Sequence, residues 1–135
     1  MKKLLLMMIF SFMISISVAN ANYYDDNPDY YFFMKVQGWK HYINLKSIDV
    51  QEYNPPHYQI KGQFVSIGYL HNEGQSGEYY KTIRYNWYTK EAFQYENGNW
   101  HKMCQDSPGT TFYEVERLTA NALFRAAYGM NFYGY

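Results

Sequence analysis

Asn97-Gly98, inside the run YYKTIRYNWYTKEAFQYENGNWHKMC (residues 79–104), constrains this chain more than any other feature. Asn-Gly between β-prone runs is the strongest short-range hairpin signal, because both turn residues must take positive φ. A two-residue turn then dictates register. Glu96 should face Asn99, Tyr95 face Trp100, Gln94 face His101 and Phe93 face Lys102. Side chains alternate faces along a strand, so Phe93, Tyr95 and Trp100 are expected to share the inward face with Cys104. Upstream, Tyr79, Ile83, Tyr85 and Trp87 fall in one phase, while Tyr80, Thr82, Arg84 and Asn86 fall in the other. That is the alternation of a half-buried antiparallel strand. A sheet follows from this pattern; a reaction does not.

Further strands are expected on either side of Gly38, over residues 30–36 and 39–45, with a turn at 46–49 that carries one apolar plug, Ile48. Asn54-Pro55-Pro56 is a breaker. Residues 58–70 resume as a strand in which Tyr58, Ile60 and Phe64 share one phase and Val65, Ile67 and Tyr69 the other. The phase change near Gly62 predicts a bulge or a strand buried on both faces. HNEGQSGE (residues 71–78) reads as a loop. The period then changes from two to 3.6. Thr111-x-x-Glu114 has the form of a capping box, Ser107-Pro108-Gly109 precedes it, and Gly129 stands where a terminating glycine belongs. Phe112, Val115, Thr119, Ala122, Leu123 and Ala126 line one face of this helix of about 17 residues, and Glu114, Arg117, Asn121 and Arg125 the other. Strands followed by a helix predict an α+β fold: a curved antiparallel sheet of about five to six strands with one C-terminal amphipathic helix packed on a face.

Residues 1–21 read as an export signal. Lys2 and Lys3 supply a positive start, residues 4–18 an uncharged apolar run too short to span a bilayer, and Ala19-Asn20-Ala21 a small-x-small cleavage pattern. No cysteine follows the apolar run, which argues against a lipid anchor. Cleavage leaves residues 22–135, 114 in all, with 10 basic residues against 12 acidic. That balance offers nothing to nucleic acid, and no basic amphipathic stretch suits an anionic membrane. Residues 22–29, NYYDDNPD, are expected to be a flexible leader; a calcium loop would need a glycine and a closing glutamate that are missing. Residues 30–135 then form a single domain.

Catalytic patterns are sparse. His41, His57, His71 and His101 form no HxH or HExxH motif, so no metal or other cofactor is expected. Cys104 is the only cysteine. It is expected to be buried, the alternative being pairing between chains. His101 and Cys104 lie three apart on a strand and point to opposite faces, which removes a thiol nucleophile activated by that histidine. The acidic residues, among them Asp49, Glu52, Glu91, Glu96, Glu114 and Glu116, include no pair whose closeness the spacing establishes.

Aromatic content is the compositional outlier: 17 Tyr, 3 Trp and 9 Phe in 135 residues. Tyrosine is amphipathic and stiff, so it suits a surface that must bind; it is also simply a good strand former. Tyr53, Tyr58, Tyr80 and Tyr88 are the candidate ligand contacts. Trp39 followed by Tyr42-Ile43-Asn44-Leu45-Lys46-Ser47-Ile48 resembles the Tyr-Ile-Asp-x-x-Ser-Ile segment of small exported bacterial proteins related to surface-adhesin protein E. Asn44 stands where aspartate is more usual. The resemblance implies an antiparallel sheet with a C-terminal helix and a binding role toward host matrix proteins. It supplies no catalytic residue, and the sheet-to-helix disulfide of the best-known adhesin cannot form with Cys104 alone.

The expectation is therefore an exported, non-enzymatic, adhesin-like module that binds protein or glycan at the cell envelope, with no membrane anchor after cleavage. An exposed edge strand could pair two copies into a homodimer. Two other classes stay open. One is a periplasmic inhibitor or envelope-partner protein acting through residues 71–78, and the other is a small hydrolase.

Overall fold

The Asn97-Gly98 turn forms with both residues at positive φ, 50° and 81°, and the four cross-strand pairs expected of it are the pairs observed. The computed structural model describes residues 23–68 and 75–134. The segment read as an export signal, residues 1–21, therefore lies outside the described residues, as do residues 69–74. Strands β1 (Tyr30–Val36), β2 (Trp39–Asn44), β3 (Asp49–Asn54), β4 (His57–Gly68), β5 (Gln75–Asn86), β6 (Glu91–Glu96) and β7 (Asn99–Lys102) form one antiparallel, curled sheet. Their order is β1-β2-β4-β5-β6-β7, with β3 also paired to β4. A helix, α2 (Thr111–Tyr128), crosses one face, after a single turn, α1 (Tyr23–Asp26), at the other end of the chain. The fold is α+β.

The sheet has seven strands among the described residues rather than five or six. The additional one, β3, reads DVQEYN and is exposed throughout, so no apolar alternation marks it; backbone pairing to β4 makes it a strand. β2 pairs with Phe64–Gly68 of β4 and β3 with His57–Lys61. The corner between them falls on the Tyr42-to-Ile48 segment. Asn44 caps a short 3-10 turn, Leu45–Ser47, by accepting from the Lys46 N–H. Ser47 Oγ donates to Asn44 O and accepts from the Gln63 N–H. That hydroxyl fills a gap in the ladder of β4.

β4 resolves its phase change by being buried on both faces, with continuous pairing to β5 from His57 to Gly68. Ile60 and Phe64 enter the main core under α2, while Val65 and Ile67 join Tyr42 in a smaller cluster on the outer face. A Cβ at Gly62 would stand 2.7 Å from Leu123 Cδ1 and 3.2 Å from Ile48 Cδ1. The glycine leaves that space to the Leu123 and Ile48 side chains.

Several local expectations change. β5 starts at Gln75, so the second half of the segment read as a loop at 71–78 is strand. Residues 23–26 of the expected leader form α1, whose Asp25 accepts from the Tyr42 hydroxyl at 2.6 Å and from Lys40 at 2.9 Å. These two bonds hold the Asp25 carboxyl below its usual pKa. The N-cap of α2 is Thr110, whose hydroxyl accepts from Tyr113 N–H, so Thr111 and Glu114 form no capping box; Glu114 pairs instead with Arg117. The inward face of the helix is turned by about one residue. Phe112 is exposed, while Tyr113, Ala120, Asn121 and Phe124 are buried with Leu123. Cys104 leaves the hairpin face, because its positive φ of 59° bends the chain toward the main core, against which the partly buried thiol packs. The Tyr95–Trp100 pair lies on the face of the sheet away from α2, with the Arg84 guanidinium 4.0 Å from the Trp100 ring.

After Gly129 (φ 75°) ends the helix, the chain folds back. Phe132 is fully buried among Tyr85, Trp87, Phe124 and Tyr133. The Tyr133 N–H donates to the buried Asn121 Oδ1 at 2.7 Å, and Lys90 Nζ donates to Phe132 O at 3.2 Å. This tail is thus core rather than appendage. Phe132→Ala should lower unfolding free energy by roughly 3–5 kcal/mol, as read by urea titration; a loss under about 1 kcal/mol would show that Phe132 is not a core residue.

Candidate functional site

Tyr53 and Tyr58 face each other across the β3–β4 pairing, which puts both side chains at the C-terminal end of α2. There they meet Phe124 and Tyr128, four residues apart and so on one helical face. Tyr58 lies 5.4 Å from each of those rings, centroid to centroid, and Tyr53 lies 5.6 Å from Tyr58 and 6.1 Å from Tyr128. Trp87, just after β5, stacks on Phe124 at 5.5 Å and 21°. With Met130 these residues line a cleft of about 220 Å³.

Apart from Met130 the lining is aromatic throughout. The Lys90 ammonium lies 3.0 Å from the Trp87 ring centroid, and burial lowers its pKa. The Tyr128 hydroxyl is buried and has no hydrogen-bond partner among the described residues. Burial raises its pKa, with Tyr58 and Tyr53 adding to the effect. Tyr53 is 67% exposed at the rim. Such a wall offers ring faces for stacking and few groups able to move a proton.

The four tyrosines singled out from the sequence do not form one surface. Tyr53 and Tyr58 converge in the cleft. Tyr88, 82% exposed, stands in the turn after Trp87, its N–H held by Asn86 Oδ1, and is not part of the lining. Tyr80 is on the opposite phase of β5, away from the helix, with the Lys61 ammonium 5.2 Å from its ring. Trp87, Phe124, Tyr128 and Met130 line the cleft without being marked as candidates by the sequence. The spacing of Phe124 and Tyr128 was a usable signal, but no local pattern reports that β3 would deliver Tyr53 to the same place.

A second polar constellation bridges β2, β4 and β5. Ser66 Oγ lies 2.8 Å from His41 Nδ1 and 3.1 Å from the Tyr79 hydroxyl. The cross-strand pairing His41↔Ser66 makes this contact. Burial, and secondarily the Lys81 charge, lower the His41 pKa, so the ring is neutral near pH 7. No described carboxylate orients its other nitrogen, as a nucleophile's base would require. Among the described residues no group of three metal-ligating side chains occurs, and no helix is long and apolar enough to cross a membrane.

Searches against family models, curated proteins and solved structures return no match for this chain.

The lowered His41 pKa has a definite sign. The unfolded chain takes up a proton near pH 6.5 that the folded chain resists, so this contribution to stability is intact above that pH and is lost as pH falls through the lowered value. Wild-type melting temperature should fall between pH 7 and 5 more steeply than that of His41→Gln. Parallel profiles would exclude the coupling.

Proposed function

We propose that the chain is an exported, non-enzymatic binding module of adhesin-like type. It would take a ring-bearing group of a protein or glycan partner at the cell envelope into the aromatic cleft. The observation that carries this reading is the exposed Tyr53 ring standing over a ready-made cleft whose walls are Tyr58, Trp87, Phe124 and Tyr128. Stiff aromatic walls lose little conformational entropy on binding, and their faces accept sugar rings and planar side chains alike. The likeness of the Tyr42-to-Ile48 segment to surface-adhesin protein E relatives supports the same direction, as does the export-signal pattern of residues 1–21.

Immobilised basement-membrane extract is a suitable first probe, since it presents matrix proteins and glycans together. Tyr53→Ala should reduce retention of the mature chain at least tenfold without moving its melting temperature by more than a few degrees, because the ring is at the rim. Tyr80→Ala, on the other face, should bind as the parent does. Equal retention of all three proteins would remove the cleft from the reading. Export is tested separately, by protease shaving of intact cells. Loss of the mature chain from whole cells is the expected result; a chain found only in the cytoplasmic fraction would overturn the proposal.

A further inference from the structure

On the other flank of α2 lies a cleft of about 290 Å³ with different chemistry. Tyr31 and Phe33 of β1 form one wall. Arg117, Asn121 and Arg125 form the other, and Asn131 of the C-terminal tail closes one end. The three helix residues are spaced four apart and so lie in one stripe; the two arginine backbones stand about 12 Å apart along the axis. Side chains of that length can converge on a group held between them.

The charge in this cleft is not balanced. Glu114 pairs with Arg117 at 2.6 Å through one oxygen, while Arg125 makes no side-chain hydrogen bond or ion pair among the described residues. No acidic residue lines the cleft. A net positive recess on a mature chain with 10 basic and 12 acidic residues is a local reversal of sign, and a concave wall strengthens its field. Asn121 is fixed in place by accepting the Tyr133 N–H, so the floor is preorganised. The volume sits at the small end of ligand clefts, which run from roughly 300 Å³ upward. It suits a single ring rather than an extended chain.

We propose that this cleft binds an acidic sugar ring of the uronate class. The carboxylate would be taken by the forked donors of Arg125, with Arg117 beside it, and the C–H face of the ring would lie on Tyr31 or Phe33. The guanidinium fork matches a carboxylate in geometry as well as charge, and an aromatic wall with Asn131 at one end is what separates a sugar ring from a bare anion. The site is distinct from the aromatic cleft, and its test does not depend on that one.

Glucuronate is the probe, titrated into the mature chain and followed by NMR chemical shifts, with glucose and inorganic sulfate titrated in parallel. Shifts of the Asn121 and Asn131 side-chain amides are expected with glucuronate, at least tenfold tighter than with either control. Arg125→Ala should weaken glucuronate binding at least tenfold, with partial recovery in Arg125→Lys, and because Arg125 is exposed its melting temperature should be unchanged. Tyr53→Ala should bind glucuronate as the parent does, which separates failure here from failure of the aromatic cleft. No glucuronate binding, or glucose binding as tightly, would overturn carboxylate recognition. Equal binding of sulfate would reduce the site to an anion hole and overturn the sugar assignment.

Discussion

Leu123 seated over Gly62 is the contact on which the rest of the architecture depends. A Cβ at position 62 would stand 2.7 Å from the leucine methyl, so the glycine leaves room for Leu123 to lie directly on β4. Close approach brings Leu123 into the fully buried layer formed by Ile43, Ile60, Phe64 and Ile83. Apolar area removed from water there is the largest favourable contribution to such a fold. It also determines what lies on either side of the helix. With α2 held low over the middle of the sheet, recesses form along its two flanks. One is walled by β3, β4 and β5 and the other by β1.

The C-terminal tail keeps those recesses apart. Phe132 plugs the space between α2 and the β5–β6 turn, and the bond from Tyr133 N–H to Asn121 ties the tail back to the middle of the helix. Met130 consequently lines the aromatic cleft, while its neighbour Asn131 lines the arginine cleft. Buried polar groups along this path are mostly satisfied, as the Tyr85 hydroxyl shows by donating to Ala120 O at 2.8 Å. The Tyr128 hydroxyl is the exception, and an unsatisfied buried hydroxyl costs on the order of 1–3 kcal/mol.

The tyrosine surplus divides between two roles that composition cannot separate. Tyr42, Tyr85, Tyr113 and Tyr133 are buried. Tyr42 and Tyr85 each carry a hydroxyl with a named acceptor, Asp25 and the Ala120 carbonyl. They act as large core residues with a polar end that needs a partner. Tyr53, Tyr80 and Tyr88 are exposed at 67%, 60% and 82%, on three different parts of the surface. Of these only Tyr53 has other aromatic rings arranged beneath it into a cleft.

By itself the sequence determined the elements whose causes are local. The Asn97-Gly98 hairpin and its register follow from two residues that tolerate positive φ, and the inward phase of Ile83 and Tyr85 from alternation. The position of the C-terminal helix follows from its change of period and its closing glycine, and those signals add up to an α+β class. Tertiary structure decided what depends on partners distant in the chain. β3 has no apolar pattern and is a strand only because β4 offers it an edge. The helix face is turned from Phe112 toward Tyr113, and farther along it Phe124 fills the core beside Tyr85 and Phe132. Cys104 departs from its hairpin face through one backbone angle that no spacing rule reports. Both clefts are of this second kind. Each joins side chains far apart in the chain, Tyr53 with Tyr128 and Tyr31 with Arg125, and only the packing of helix on sheet brings them together.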